Sequence, residues 1–176
     1  MKRLGCYAAG ALGLAVVVAV LYSVQYEEKD TRKSICMANL KVLMFSMLMY
    51  AEDHDGVLPS AVLNDLKVNG VRHRGEPERF WSLVGPYAKD RSKLHCPHDK
   101  RSGELVSYEQ VDLPTDLRET SIEQSEASRI KLFRDLVWLG PDGKPKSFHP
   151  DQWITVAYGD GHVKGEPVSE HRPVTP

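Results

Sequence analysis

The chain has 176 residues, a formal net charge of −1, 41% hydrophobic residues and 27% charged residues. This length allows one modest domain beside a membrane anchor, and the nearly balanced charge argues against a nucleic-acid-binding protein. The mean hydropathy is negative, so most of the chain outside the apolar N-terminal run faces water.

The N-terminal run from Leu4 to Val24 contains no charged residue. Its length is about the twenty apolar residues that a helix needs to cross the hydrocarbon core. Lys2 and Arg3 precede it and favour a cytoplasmic N-terminus. A cleaved signal peptide has the same basic start, but this run is long for one and lacks a clean cleavage site. We therefore expect residues 1–24 to be an uncleaved transmembrane anchor.

The next segment, residues 25–55, is predicted to continue the helix. It contains no glycine or proline, and it is polar at first. Apolar residues then recur at helical spacing, at Cys36, Leu40, Leu43, Met47 and Tyr50. Asp55-Gly56 is typical of a helix end. The segment is therefore amphipathic, and its apolar stripe requires a partner outside the membrane.

Residues 56–165 are predicted to form the globular domain, and residues 166–176 a flexible tail because three prolines follow Glu166. The patterns predict helices over Ser60–Val68 and Pro77–Ala88, an exposed loop over Pro114–Ser128, and strands within Glu104–Val111 and over Trp153–Tyr158. Gly85-Pro86 is expected to interrupt the second helix near its end. The stretch Ile130–Leu139 fits either a helix or a strand.

Two turns are indicated by their glycines. Pro141-Asp142-Gly143 is a strong turn sequence. Gly159-Asp160-Gly161 predicts a hairpin turn after the strand Trp153–Tyr158, and His162 begins the returning strand. Gly161 is expected to supply the positive φ angle that a tight hairpin requires.

Three cysteines are present, of which Cys6 lies at the start of the apolar run. Cys36 and Cys96 lie outside the membrane if the N-terminus is inside, in a compartment that permits disulfides. A Cys36–Cys96 bridge would join the domain to the helix, and two buried free thiols are the alternative. We predict the bridge.

Three ordered segments carry distinctive motifs. Cys36–Pro59 has a cysteine, Asn-Leu-Lys, an apolar helical stretch, Tyr-Ala and an acidic cluster with His-Asp-Gly. Leu94–Asp99 contains Cys96-Pro97, and Trp153–Lys164 contains Asp160-Gly161-His162-Val163, with His149 upstream. In this order the segments resemble type IV pilin-like proteins related to the major pseudopilin of type II secretion, which are abundant in planctomycete and verrucomicrobial bacteria. The second segment is similar to the family's Cys-Pro-Ser-Asp, the third to its C-terminal hairpin, and the family also has a histidine upstream of that hairpin.

The resemblance implies an α+β, pilin-like fold in which a long N-terminal helix, part membrane span and part amphipathic, packs against a small antiparallel sheet. It also implies a structural subunit of a type II secretion or type IV pilus-type system in the bacterial inner membrane. Its domain would be periplasmic, and its partners would be other pilin-like subunits bound through the long helix. The N-terminus differs from the family's prepilin signal, because no Phe follows Gly5 or Gly10 and the span has no glutamate.

Acidic residues offer weak calcium candidates. Asp53 and Asp55 lie beside Gly56 and carry carboxylates that calcium prefers, although their spacing is too short for an EF-hand loop. Setting the turn at the helix end is the simpler role for them. The resemblance implies a C-terminal calcium loop in major pseudopilins, and Asp160 is the nearest equivalent acid here.

A second set of metal candidates surrounds Cys96. His95 and His98 flank Cys96-Pro97, and His149 or His162 would be needed to complete a zinc site. The sequence lacks the paired ligand spacing that marks zinc sites, so Cys96 is expected to be a disulfide partner instead.

No nucleophile and base can be placed in a catalytic arrangement from the sequence. We therefore expect a non-enzymatic structural protein with no catalytic residue and no required cofactor. The alternative is a single-pass, anchored periplasmic domain with a pilin-like fold that binds a ligand or handles a metal.

Overall fold

The computed structural model describes residues 3–68, 71–100, 106–111, 129–149 and 151–171. The chain divides into two compact units, Met1–Ser34 and Ile35–Pro176. Helix α1 extends from Arg3 to Asp53 and so contributes residues to both units.

The first unit exposes a run of apolar side chains. Gly13–Ser23 is an apolar helical segment, and its large hydrophobic residues from Leu14 to Tyr22 are each more than half exposed. A contiguous apolar surface of this kind is costly in water, so it indicates a lipid or protein environment.

One described helical segment, Thr31–Asp53, is long and apolar enough by composition to cross a membrane. However, its buried side chains belong to the core of the second unit, including Cys36, Leu40 and Met47. We therefore assign residues 35–53 to the folded domain, where the predicted apolar stripe is buried except for Tyr50, which is half-buried. The expected anchor over residues 1–24 lies only partly within the residues whose side chains are described.

The second unit contains a four-stranded antiparallel sheet and two short strand pairs. The strands are β1 Leu66–Val68, β2 Val71–His73, β3 Tyr108–Gln110, β4 Lys131–Asp135, β5 Trp138–Leu139, β6 Pro145–Lys146, β7 Trp153–Tyr158 and β8 Val163–Pro167. The main sheet has the strand order β3-β4-β7-β8. The two short pairs are β1 with β2 and β5 with β6. The expected mixed α+β class is confirmed.

The two faces of the main sheet bury separate apolar clusters. Phe133 and Ala157 belong to the core that includes α1. Ile154 and Val156 belong to a second cluster, with Val168. Because neighbouring strand residues point to opposite faces, β7 contributes to both clusters.

Helix α2, Pro77–Ala88, has the bounds predicted from the sequence. It buries Phe80, whose ring meets Phe133 edge-on at 6.0 Å between centroids. The expected interruption at Gly85-Pro86 is wrong, because Pro86 lies within the last turn and the helix ends at Lys89 in the left-handed conformation. Burial of Ala88 holds that turn against the core.

The predicted helix over Ser60–Val68 is wrong, because residues 60–65 are irregular and β1 follows. Tertiary partners replace the helical hydrogen bonds. The Leu63 N–H donates to Gln110 Oε1 at 2.6 Å, and the Val62 carbonyl accepts from the Glu76 N–H at 2.8 Å. The buried side chains of this segment thus enter the core from an irregular backbone.

The ambiguous stretch Ile130–Leu139 forms strands β4 and β5. The expected strand within Glu104–Val111 is present as β3, and the predicted loop Pro114–Ser128 lies outside the described residues. β7 and its hairpin to β8 follow the prediction, although β8 begins one residue after His162.

The expected flexible tail from Glu166 is in part ordered. β8 extends to Pro167, and a 3-10 turn, Val168–Glu170, follows. Glu166, Val168 and His171 are buried. The ion pairs of Glu166 with Lys131 of β4 and with Lys164 of β8 provide the physical reason, since they hold its carboxylate on the sheet.

Candidate functional site

Four buried side chains from four separate segments meet on the α1 side of the sheet. Cys36 comes from α1, Cys96 from the loop after the 3-10 turn Arg91–Leu94, Asp135 from the end of β4, and His149 from the loop before β7. Each is at most 2% exposed. One potential ligand atom from each residue lies within 4.8 Å of the others.

The predicted Cys36–Cys96 disulfide is present, with 5.3 Å between the Cα atoms and 60 residues between the two positions. Asn39, on α1, donates from Nδ2 to the His95 carbonyl at 2.8 Å and holds the loop beside the bond. The Ser107 N–H donates to the Leu94 carbonyl at 3.0 Å from the other side. The loop carrying Cys96 is therefore fixed between α1 and the sheet.

Asp135 and His149 form a polar pair beside the disulfide. His149 Nε2 lies 2.9 Å from Asp135 Oδ2 and 3.7 Å from Cys96 Sγ. The Thr155 N–H, on the neighbouring strand, also donates to Asp135 Oδ2 at 2.5 Å. Asp135 Oδ1 and His149 Nδ1 are buried without a hydrogen-bond partner. Such groups are costly to bury, so the pair is not explained by packing alone.

The His149 ring is held by its neighbours. It stacks on Trp153 at 3.6 Å between centroids, and His98 approaches it edge-on at 4.6 Å. Ser147 Oγ accepts from the His149 N–H at 3.3 Å and donates to the Trp153 carbonyl at 2.8 Å. These contacts direct Nε2 towards the sulfur and the carboxylate.

The predicted calcium candidates are not brought together by the described part of the chain. Asp53 accepts a hydrogen bond from the Tyr87 hydroxyl at 2.6 Å. Asp55 is exposed and has φ 55°, as a helix-ending turn requires. Asp160 Oδ1 accepts from the His162 N–H at 3.1 Å, and hydrogen bonding to His162 lowers the pKa of Asp160. All three acids therefore have local roles in turns and surface hydrogen bonds.

Of the predicted zinc candidates, only Cys96 and His149 belong to the buried cluster. His95, His98 and His162 are not members of it. Asp135 was not predicted as a site residue, because it lies in the ambiguous stretch before Trp138. Cys36 was predicted as a disulfide partner, with a buried free thiol as the alternative, and not as a metal ligand. The spacing carries no local signal for this set, because its members come from four distant segments.

The motif residues of the turns have clear geometric roles. Gly56 has φ 80° and its N–H donates to the Ala51 carbonyl at 2.8 Å, which ends α1. Gly161 has φ 89° in the β7–β8 hairpin. Pro97 lies in a tight turn in which the Asp99 N–H donates to the Cys96 carbonyl at 2.9 Å.

A second polar cluster lies around strands β4, β7 and β8, and its charges are paired. Arg134 Nε lies 2.6 Å from Glu109 Oε1, and both side chains are 4% exposed. Glu166 binds Lys131 and Lys164, each at 2.9 Å, and accepts a hydrogen bond from Tyr158. Burial raises the pKa of Glu166, but the hydrogen bonds from Tyr158 and Lys131 outweigh it and lower the pKa to about 2.

Comparison with protein-family models, with curated proteins and with solved structures finds no match. Chemically, the buried cluster joins a disulfide to an imidazole and a carboxylate. These groups can hold a disulfide in one state and offer ligands to a thiophilic cation in the other.

Proposed function

We propose that this chain is a membrane-anchored, pilin-like structural subunit of a type II secretion or type IV pilus-type system. It acts by packing α1 against like or related subunits. The observation that carries the proposal is a second apolar stripe on α1, distinct from the stripe that is buried in the domain.

The second stripe consists of apolar residues that remain accessible, namely Ile35, Ala38, Val42, Phe45 and Met49. Ile35, Phe45 and Met49 are 42%, 45% and 50% exposed. The residues recur at intervals of three and four, which is the pattern of a helix-to-helix seam. Single exposed apolar residues are common on protein surfaces, but an aligned series favours a partner helix.

The apolar segment Gly13–Ser23 supports the membrane part of the proposal. Its side chains are exposed within the first unit, and its neighbours from Leu4 to Val24 include no charged residue. A bilayer is the environment in which such a helix is stable, since its backbone polar groups are satisfied internally.

The Cys36–Cys96 disulfide supports a domain on the oxidising side of the membrane. Disulfides persist in the periplasm and are rare in the cytosol. Together with Lys2 and Arg3 before the apolar run, this favours a single-pass protein of the inner membrane with a cytoplasmic N-terminus.

Site-specific photocrosslinking in membranes tests the packing. A benzophenone amino acid replaces Met49 in the exposed stripe, and a matched variant carries it at Lys144, which is exposed in the β5–β6 turn. We expect irradiation of the Met49 variant to give adducts with this chain or a related subunit, identified by mass spectrometry. The Lys144 variant should remain monomeric.

Equal adduct yields at the two positions, or monomer only at both, would refute packing through this stripe. The anchor is tested separately by the intact mass of the full-length chain in membrane, soluble and sheared-filament fractions. A full-length mass in the membrane is expected for an uncleaved anchor, whereas a shortened soluble product would identify a signal peptide.

A further inference from the structure

We propose that Cys36, Cys96, Asp135 and His149 form a redox-gated binding site for one thiophilic divalent cation, with zinc as the best chemical fit. The site is closed to metal while the disulfide is formed. It opens when the two cysteines are reduced. This inference is independent of the pilin-like role, because it depends only on the buried cluster of the domain.

The geometry already matches what a tetrahedral cation needs. The four ligand atoms lie within 4.8 Å of one another, and Cys96 Sγ lies 3.7 Å from His149 Nε2. Ligands bound to zinc at about 2.0–2.3 Å are separated by about 3–4 Å in a tetrahedron. Small side-chain movements are therefore sufficient to surround an ion.

The polar pair supports the assignment because a disulfide needs neither an imidazole nor a carboxylate beside it. Asp135 and His149 are both fully buried, and each keeps an atom without a partner. Natural proteins seldom bury such groups unless they hydrogen-bond, take part in chemistry or bind an ion. A cation at this point would offset the cost of burying the carboxylate.

The donor set selects the kind of cation. Two thiolates favour a soft or borderline ion, and imidazole with one carboxylate completes a set that zinc accepts. Calcium and magnesium prefer all-oxygen sites, which this cluster does not provide. Two thiolates, a carboxylate and a divalent cation leave the site with one net negative charge.

The redox step balances with a dithiol as the reductant. Two electrons from the dithiol break the Cys36–Cys96 S–S bond, two protons complete the two thiols, and the dithiol leaves as its own disulfide. When the cation binds, both thiols release their protons to solvent, and the sulfurs donate to the metal. The ion then joins the same chain segments that the disulfide had joined.

Cobalt and zinc titrations of the full-length chain in detergent micelles test the proposal. All variants carry Cys6→Ser, so that the third thiol does not contribute. Each protein is compared in its disulfide form and after reduction by a phosphine and desalting under nitrogen. Cobalt reports tetrahedral thiolate coordination by its visible and near-ultraviolet spectrum, and zinc affinity follows from competition.

We expect one cobalt per reduced chain and none in the disulfide form. Asp135→Asn and His149→Gln should each weaken zinc binding. The loss of affinity should exceed about 100-fold for His149→Gln, because this variant lacks the imidazole ligand. The matched control is Asp160→Asn with His162→Gln, since this exposed pair has a similar contact of 2.5 Å. The control should bind zinc as the parent does.

Either of two binding results would overturn the proposal. The reduced parent could bind no more cobalt than the disulfide form, or Asp135→Asn and His149→Gln could bind zinc as tightly as the control. Substitutions in a buried cluster can also disturb folding, so a second measurement uses the parent protein alone. Zinc should raise the melting temperature of the reduced chain, reversibly with a chelator, and an unchanged melting temperature would also refute the site.

Discussion

The main sheet buries ionisable groups in two places, and their partners differ. In the cluster around Glu109, Arg134 and Glu166, the carboxylates meet cations from the same chain. In the cluster beside α1, Asp135 and His149 share one contact and leave an atom each unpartnered next to two sulfurs. In the first cluster each carboxylate has a cationic partner, whereas in the second the carboxylate and the imidazole lie beside a disulfide with no lysine or arginine paired to them in the described part of the chain. We therefore treat the first cluster as a structural network and the second as the candidate site.

The largest expected effect comes from breaking the buried ion pair of the structural network. Arg134→Met leaves Glu109 buried without its partner, and we expect a loss of about 3–5 kcal/mol in the free energy of unfolding. Glu109→Met with Arg134→Met should lose much less, because no unpaired charge remains. Urea unfolding of the parent, the single variant and the double variant at one pH measures both losses of unfolding free energy. A double variant as unstable as the single one would show that packing, not charge pairing, holds this region.

The disulfide gives the next effect. Cys36→Ser and Cys96→Ser should each cost about 2–4 kcal/mol in the oxidised protein with a chelator present, because each removes the same cross-link. The double variant should cost little more than either single one. Denaturant unfolding under non-reducing conditions measures the three losses. Additive losses would mean that the two sulfurs stabilise the chain separately.

The difference between the two clusters also explains what could be predicted from the sequence. β7 and its hairpin follow from alternation and from Asp160-Gly161, because both signals are local. The disulfide followed from compartment and from there being two cysteines outside the apolar run. Asp135 was not predicted, because a single acidic residue in an ambiguous stretch is typical of a protein surface. Only the pairing of β4 with β7 places it in the interior.

Two segments differ from their predicted structure for the same physical reason. Ser60–Val68 has apolar residues at spacings that fit a helix, but contacts to Gln110 and Glu76 satisfy its backbone instead. The segment after Glu166 has a composition typical of a flexible tail, and its ion pairs hold it on the sheet. In both cases tertiary partners outweighed a local pattern that the sequence could show by itself.

The pH dependence of stability isolates Glu166 within the structural network. Its pKa of about 2 lies below the ordinary value of 4.5, so the carboxylate stabilises the fold above about pH 5 and loses that effect as the pH falls towards 2. The full shift corresponds to about 3 kcal/mol, and because solvent screens this carboxylate in part, we expect a difference of about 2 kcal/mol. Chemical unfolding measured from pH 6 to pH 2 should therefore show that acidification lowers the free energy of unfolding less for Glu166→Gln than for the parent. Parallel curves for the two proteins would show that this carboxylate is not selectively stabilised.

The hairpin that joins β7 to β8 includes the smallest expected effect, and it separates backbone geometry from side-chain contact. Gly161 has φ 89°, a conformation in which a β-branched residue is strained, and an added Cβ would lie 3.4 Å from the Phe45 ring. Gly161→Val should therefore cost about 1–3 kcal/mol. His162→Ala loses only an exposed contact with Asp160 and stacking on Tyr158 at 4.1 Å, so it should cost less than about 1 kcal/mol. Thermal unfolding of both variants shows which one loses more stability. A larger loss of stability for His162→Ala would mean that the histidine, not the turn, fixes the hairpin.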